Sequence, residues 1–152
     1  MKLFRMDSLQ DHICICSKCQ LDSSNSVFTA KGKKTEFVLK NNNKTVVDKF
    51  IVDDCLLVGY NRDEKCDYLF RLKNEKIAYL IECKGSDILK AVSQLNSTLD
   101  ILKTGLIDYL VMAKIISTKV YSPDIRDRKY LNLKRKLNGN LETKNILLEI
   151  NI

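Results

Sequence analysis

This 152-residue chain has no apolar run that approaches the roughly 20 residues needed to span a bilayer. Its opening, Met1 to Ser8, turns polar before an apolar stretch of signal-peptide length can form. Internal repeats and low-complexity tracts are missing too, which excludes solenoids and disordered spacers. One proline and five glycines leave few breakers, so turns have to be read largely from Asn and charged clusters. These absences lead us to expect a soluble, cytoplasmic protein with no membrane partner. The six cysteines stand at irregular spacings without an export signal, which favours free thiols or metal ligands over a disulfide framework.

What is present suffices for a core. Hydrophobic residues make up 45% of the chain, and its length is about that of one domain. The balance of 26 Lys plus Arg against 19 Asp plus Glu leaves a net charge of +7, which favours a polyanionic partner such as nucleic acid.

Residues 1–30 carry weak periodicity and three of the cysteines, with a faint helical pattern over 4–12. Residues 35–39 and 45–58 are β-favouring on either side of an Asn41-Asn42-Asn43-Lys44 loop. Two apolar runs follow, 68–72 and 77–81, joined by Lys73-Asn74-Glu75-Lys76. The period then changes. Ile88, Val92, Leu95, Leu99 and Leu102 recur at three- and four-residue spacing, predicting an amphipathic helix over 87–103 with Ser86 as its N-cap and Gly105 beyond its end.

The apolar run 106–116 reads as a buried strand, placed parallel to 77–83 by the helical crossover. Ser122-Pro123 predicts a second helix ending before Gly139, and 141–150 a last strand. The expected fold class is α/β (α+β), a central mixed sheet with flanking helices, in a single domain. Its core spans about 45–116, and a basic helix and strand follow over 122–150.

A symmetric loop centred between Asn74 and Glu75 sets Asp67 directly opposite Glu82. Opposed residues hold their Cβ atoms about 4.5–5.5 Å apart on one face, and strand alternation puts Lys84 on that face as well. Two carboxylates and an ammonium then converge at one end of the sheet, a set suited to phosphodiester hydrolysis. Asp67 and Glu82 are hard oxygen ligands for Mg²⁺ or Mn²⁺, with the main-chain carbonyl of Cys83 as a further donor. Lys84 can position the attacking water and offset transition-state charge. A one-residue slip in register would send the carboxylates to opposite faces.

Asp67, followed after 14 residues by Glu82-Cys83-Lys84, resembles the signature of the PD-(D/E)XK nucleases, the restriction-endonuclease-like superfamily. The resemblance covers about residues 45–116. It implies an αβββαβ core, with Asp67 and Glu82 as the metal-binding acids and Lys84 as the catalytic lysine. Cys66 stands where many members have proline, and the first helix of that core is not evident here. Some members carry a glutamine on the following helix, which implies a catalytic role for Gln94; Lys90 shares its helix face and is expected with it to face the scissile phosphate as a nucleic-acid contact. DNA is expected before RNA as the substrate, because most enzymes that the chain resembles cut DNA. A homodimer and a subunit of a larger complex are both compatible with the size of the chain.

Other groups compete for attention. Asp53 is a candidate extra ligand from a neighbouring strand, and Glu36 a weaker one. His12, Cys14, Cys16 and Cys19 could ligate a soft metal, but one short segment without a second knuckle favours reduced thiols. Arg126, Arg128, Lys129, Lys134, Arg135 and Lys136 form a basic stretch, either a solvated helix face or a phosphate-contacting one. Three readings therefore remain: a metal-dependent nuclease, a non-catalytic nucleic-acid-binding or regulatory module on the same fold, and a small zinc-stabilised interaction protein built on the N-terminal cysteines.

Overall fold

Short runs of β-branched and aromatic residues between polar turns favour strands, and most of this molecule is built that way. The structure is a computed structural model that describes residues 19–53 and 64–152. Among them the elements run β1 (Gln20–Ser23), β2 (Val27–Lys31), β3 (Glu36–Lys40), β4 (Val47–Ile51), β5 (Tyr68–Leu72), β6 (Ile77–Lys84), α1 (Ile88–Leu102), β7 (Leu110–Ser117), α2 (Ser122–Arg126), α3 (Arg128–Lys136), β8 (Leu141–Asn145) and β9 (Leu147–Asn151). No helix among the described residues is long and apolar enough to cross a membrane.

Six strands form one mixed sheet in the order β1-β4-β5-β6-β7-β8, antiparallel from β1 to β6 and parallel from β6 to β8. Strands β2, β3 and β9 form a second sheet. Strand β6 is covered on both sides, as its near-continuous apolar sequence requires. Ala78 and Leu80 join the core under α1, with Ile88, Val92 and Leu95 of that helix and Tyr130 and Leu133 of α3. Tyr79 and Ile81 face the other way, into a core shared with Phe28, Phe37 and Leu148 of the second sheet. Phe37 and Phe28 meet Phe70 of β5 there, with ring centroids 5.7 and 6.3 Å apart.

The fold is thus a mixed α+β arrangement, with one revision to the expected layers. Among the described residues the helices pack on one face of the large sheet, and the second sheet covers the other. Residues 19–31, unreadable in sequence, supply two strands. The expected last strand is two: Ile146 takes a left-handed φ of 67° and separates β8 from β9. Its N–H donates to the Ser117 carbonyl of the large sheet, and its C=O accepts from the Glu36 N–H of the second.

The helix expected from Ser122 is also two. Asp127 is extended at φ −63°, ψ 146°, and its carboxylate caps α3 by accepting from the Lys129 N–H at 2.8 Å. Helix α1 is capped by Asp87 instead of Ser86, through the Lys90 N–H at 2.9 Å. The strand predicted from 106 starts at Leu110, after a turn in which Leu106 is still buried. The helical pattern over 4–12 and the β-rich stretch beyond residue 53 as far as 58 lie outside the described residues.

Candidate active site

The β5–β6 ladder runs from Leu72↔Ile77 to Tyr68↔Ile81, the register of a loop centred between Asn74 and Glu75. Continued one step, that register would set Asp67 opposite Glu82, but the ladder ends at Tyr68↔Ile81, so the expected direct pairing of the two acids is not part of it. Asp67 is nonetheless fixed by its backbone, donating to the Ile81 carbonyl at 3.1 Å and accepting from the Val52 N–H at 2.9 Å. Its Oδ2 accepts from the Cys83 N–H at 3.0 Å. In an extended strand the carbonyl of a residue turns to the same side as its N–H, so the Cys83 carbonyl points past the end of β5 towards Asp67.

Glu82 is 1% exposed and lies on the α1 face of β6. Its Oε2 is 3.4 Å from Lys84 Nζ, and its Oε1 is buried without a hydrogen-bond partner among the described residues. Burial, with the Asp67 charge adding to it and Lys84 opposing, pushes the Glu82 carboxyl up to about 8. A buried carboxylate oxygen without a donor is a place for a proton or a cation.

The donor set fits a hard divalent ion held by few protein ligands. Mg²⁺ typically takes one or two carboxylates and keeps waters and substrate phosphate for the rest. No group of three or more His, Cys, Asp or Glu side chains that could cage an ion occurs among the described residues.

Asp67, Cys83 and Lys84 line a cleft of about 860 Å³ at the end of β6. Asp53 lines it as well, with Lys65 Nζ 3.8 Å from its carboxylate. Cys83 is half-buried on the second-sheet side, its Sγ 3.6 Å from the Ala30 carbonyl, and burial raises its thiol to about 12. It is a packing residue with no thiolate at neutral pH.

Comparison of the chain with protein-family models, curated proteins and solved structures gives no match. The site therefore has to be read from its own residues.

Four further cations line the cleft: Lys31 at the end of β2, Lys33 and Lys34 on the β2–β3 connection, and Lys119 after β7. None of the four was among the candidates picked from the sequence. Lys31-Gly32-Lys33-Lys34 is a visible basic cluster at a glycine, but only the packing of the second sheet carries it to Cys83.

Gln94 and Lys90 do not line the cleft. Gln94 Nε2 donates to the Lys65 carbonyl at 3.1 Å. One turn on, Thr98 Oγ1 accepts from the Cys66 N–H and donates to the Gln94 carbonyl, each at 2.8 Å. Helix α1 thereby holds the segment leading into Asp67, which makes Gln94 a positioning residue in this geometry. Lys90 is exposed.

The basic stretch is divided between α2 and α3, and none of its residues lines the cleft. Lys136 lies at the far end of α1, 3.1 Å from Asp100. Tyr130, Leu133 and Leu137 are buried as the apolar side of that stretch, whereas Leu131 is exposed. Glu36 sits on β3 and pairs loosely with Lys31 at 3.7 Å. Of the four N-terminal ligand candidates, His12, Cys14 and Cys16 lie outside the described residues. Cys19 packs against the core under α1, and its Sγ accepts from the Ile51 N–H at 3.4 Å.

Proposed function

We propose that the chain is a metal-dependent nuclease that hydrolyses phosphodiester bonds, DNA before RNA, with a core of the restriction-endonuclease-like type. The observation that carries the reading is the buried Glu82 carboxylate, one oxygen without a donor among the described residues and the other beside Lys84, next to Asp67 at the end of the β5–β6 ladder. The order of antiparallel β4, β5 and β6, then α1, then parallel β7, supports the family resemblance.

Asp67 and Glu82 would hold the ion, with the Cys83 carbonyl as a third donor. Bound Mg²⁺ or Mn²⁺ supplies charge stabilisation on the phosphate and a more acidic water. The chain's own residues do the remainder. Lys84, lining the cleft 3.4 Å from Glu82 Oε2, holds the attacking water and offsets charge on the phosphate as the new P–O bond forms. The attacking water gives its proton to solvent, the ester P–O bond breaks, and the leaving oxygen takes up a proton from solvent. Gln94 and Thr98 act through the backbone of 65–66, keeping Asp67 in register.

Purified protein is expected to cleave DNA with Mg²⁺ or Mn²⁺ and to lose that activity in Asp67→Ala, Glu82→Ala and Lys84→Ala while keeping its circular dichroism spectrum. Undiminished cleavage by Lys84→Ala protein would overturn the mechanism. Salt-sensitive binding without cleavage, unaffected by loss of the acids, would favour the non-catalytic module.

A further inference from the structure

The cleft has a cationic lining that the hydrolytic residues do not use. Lys33, Lys34 and Lys119 are exposed, line it together with Asp67 and Lys84, and enter no ion pair among the described residues. Lys31 lines it too, but is shared with Glu36 at 3.7 Å.

Both lysine-bearing segments are fixed to the strand that carries Glu82 and Lys84. A Cβ on Gly32 would stand 2.8 Å from Cys83 Cβ and 2.6 Å from Thr35 Oγ1, so the loop passes the site strand at a distance only glycine allows. The Gly32 N–H closes that loop on the Thr35 carbonyl at 2.8 Å. On the other segment, Ser117 Oγ lies 2.7 Å from the Gly85 carbonyl and 2.6 Å from that of Lys119. The Thr118 N–H donates to the same Gly85 carbonyl at 2.6 Å. Ammonium groups on braced backbone, without an ion pair among the described residues and lining one cleft with Asp67 and Lys84, suit a ligand that carries successive negative charges and presents one of them at Asp67.

We infer that the 31–35 loop and Lys119 form a clamp for the phosphate backbone of a nucleic-acid strand and set which phosphate reaches Asp67 and Glu82, a task that is one of two readings the sequence leaves open for the basic stretch 126–136, which lines no part of the cleft. The inference rests on the hydrolytic reading of the cleft for what the strand is brought to. Backbone contacts of this kind position a strand without reading its bases. Each one released on salt addition contributes about −0.7 for single strands and about −0.9 for duplex to the slope of log affinity against log salt.

The test is fluorescence anisotropy of labelled single-stranded DNA, duplex DNA and RNA oligonucleotides titrated with the full chain in EDTA, where no bond is broken. Lys33→Gln, Lys34→Gln and Lys119→Gln together are expected to lower affinity at least tenfold and to reduce the salt slope by about 2 on single strands. Lys119→Gln alone is expected to reduce it by about 0.7. The charge-matched control Arg128→Gln, Lys134→Gln and Arg135→Gln should leave affinity within about twofold, as expected of solvated surface charges away from the contact.

Unchanged affinity and slope in the cleft variant, or an equal loss in the α3 control, would overturn the clamp. Cleavage with Mg²⁺ alongside an unaffected cleft variant would sink the clamp and leave the nuclease standing. Cleft-dependent binding with no cleavage would leave the clamp standing and sink the nuclease.

Discussion

Glu82 shows how one position can be set by stability and chemistry at once. Its carboxyl titrates near 8 in the folded chain, against about 4.3 for an exposed glutamate. Between those values the folded state keeps a proton that the unfolded chain has lost. Metal-free stability is therefore fullest below the lower value and falls as pH rises to about 8. In EDTA the melting temperature should drop between about pH 5 and pH 8, and Glu82→Gln should flatten that part of the profile. An equal slope in the variant would contradict the assignment. A cation at Oε1 has to displace the same proton. Calorimetric titration with Mn²⁺ in buffers of different ionisation enthalpy should therefore report proton release below pH 8 in wild type and none in Glu82→Gln.

At the scale of elements, β4 and β5 are joined by a buried ion pair. Asp48, fully buried, accepts from Arg71 Nε and from Nη2, each at 2.9 Å, and from the Asp22 N–H at 2.8 Å. Removing one partner strands the other, so Asp48→Ala should cost about 3–5 kcal/mol in urea denaturation. The same measurement on Asp53→Ala, an exposed acid on the cleft, should show a change below about 1 kcal/mol. The β2–β3 loop makes the opposite case, in which space and not charge is limiting. Gly32→Val should cost about 1–3 kcal/mol and weaken oligonucleotide binding, because the loop must lift from Cys83. Helix α1 is an element whose sequence pattern was sufficient. Its apolar spacing placed Ile88, Val92, Leu95 and Leu102 in the core, while the cap moved by a single residue to Asp87.

For the whole molecule, the passage of the last strand between sheets at Ile146 is the decisive connection. A β-branched residue in left-handed backbone is strained by about 1–2 kcal/mol, and Ile146 is also 53% exposed. Ile146→Asn should therefore raise stability by about 1 kcal/mol, measured by denaturant midpoint at constant slope. A loss would mean that the side chain contributes packing that its exposure hides. The connection matters for the site because β9 pairs parallel with β3. The second sheet so completed presses residues 31–35 against Cys83 and brings Lys31, Lys33 and Lys34 to the cleft.

Local chemistry determined the hairpin. The loop at 73–76 and the apolar runs on either side specify the register that runs from Leu72↔Ile77 to Tyr68↔Ile81 and brings Asp67 and Glu82 to the same end of the ladder. The crossover through α1 to a parallel β7 was legible for the same reason, a change of hydrophobic period from two to 3.6. Contacts between residues distant in sequence decided the remainder. Nothing near Lys33 or Lys119 says that the two line one cleft, nothing near Gln94 says that its side-chain N–H reaches Lys65, and nothing in residues 141–150 says that those before and after Ile146 join different sheets. Glu82 joins the two levels. Its place in the pattern is written in the sequence, but its burial, which with the Asp67 charge raises its titration, arises only in the packed sheet.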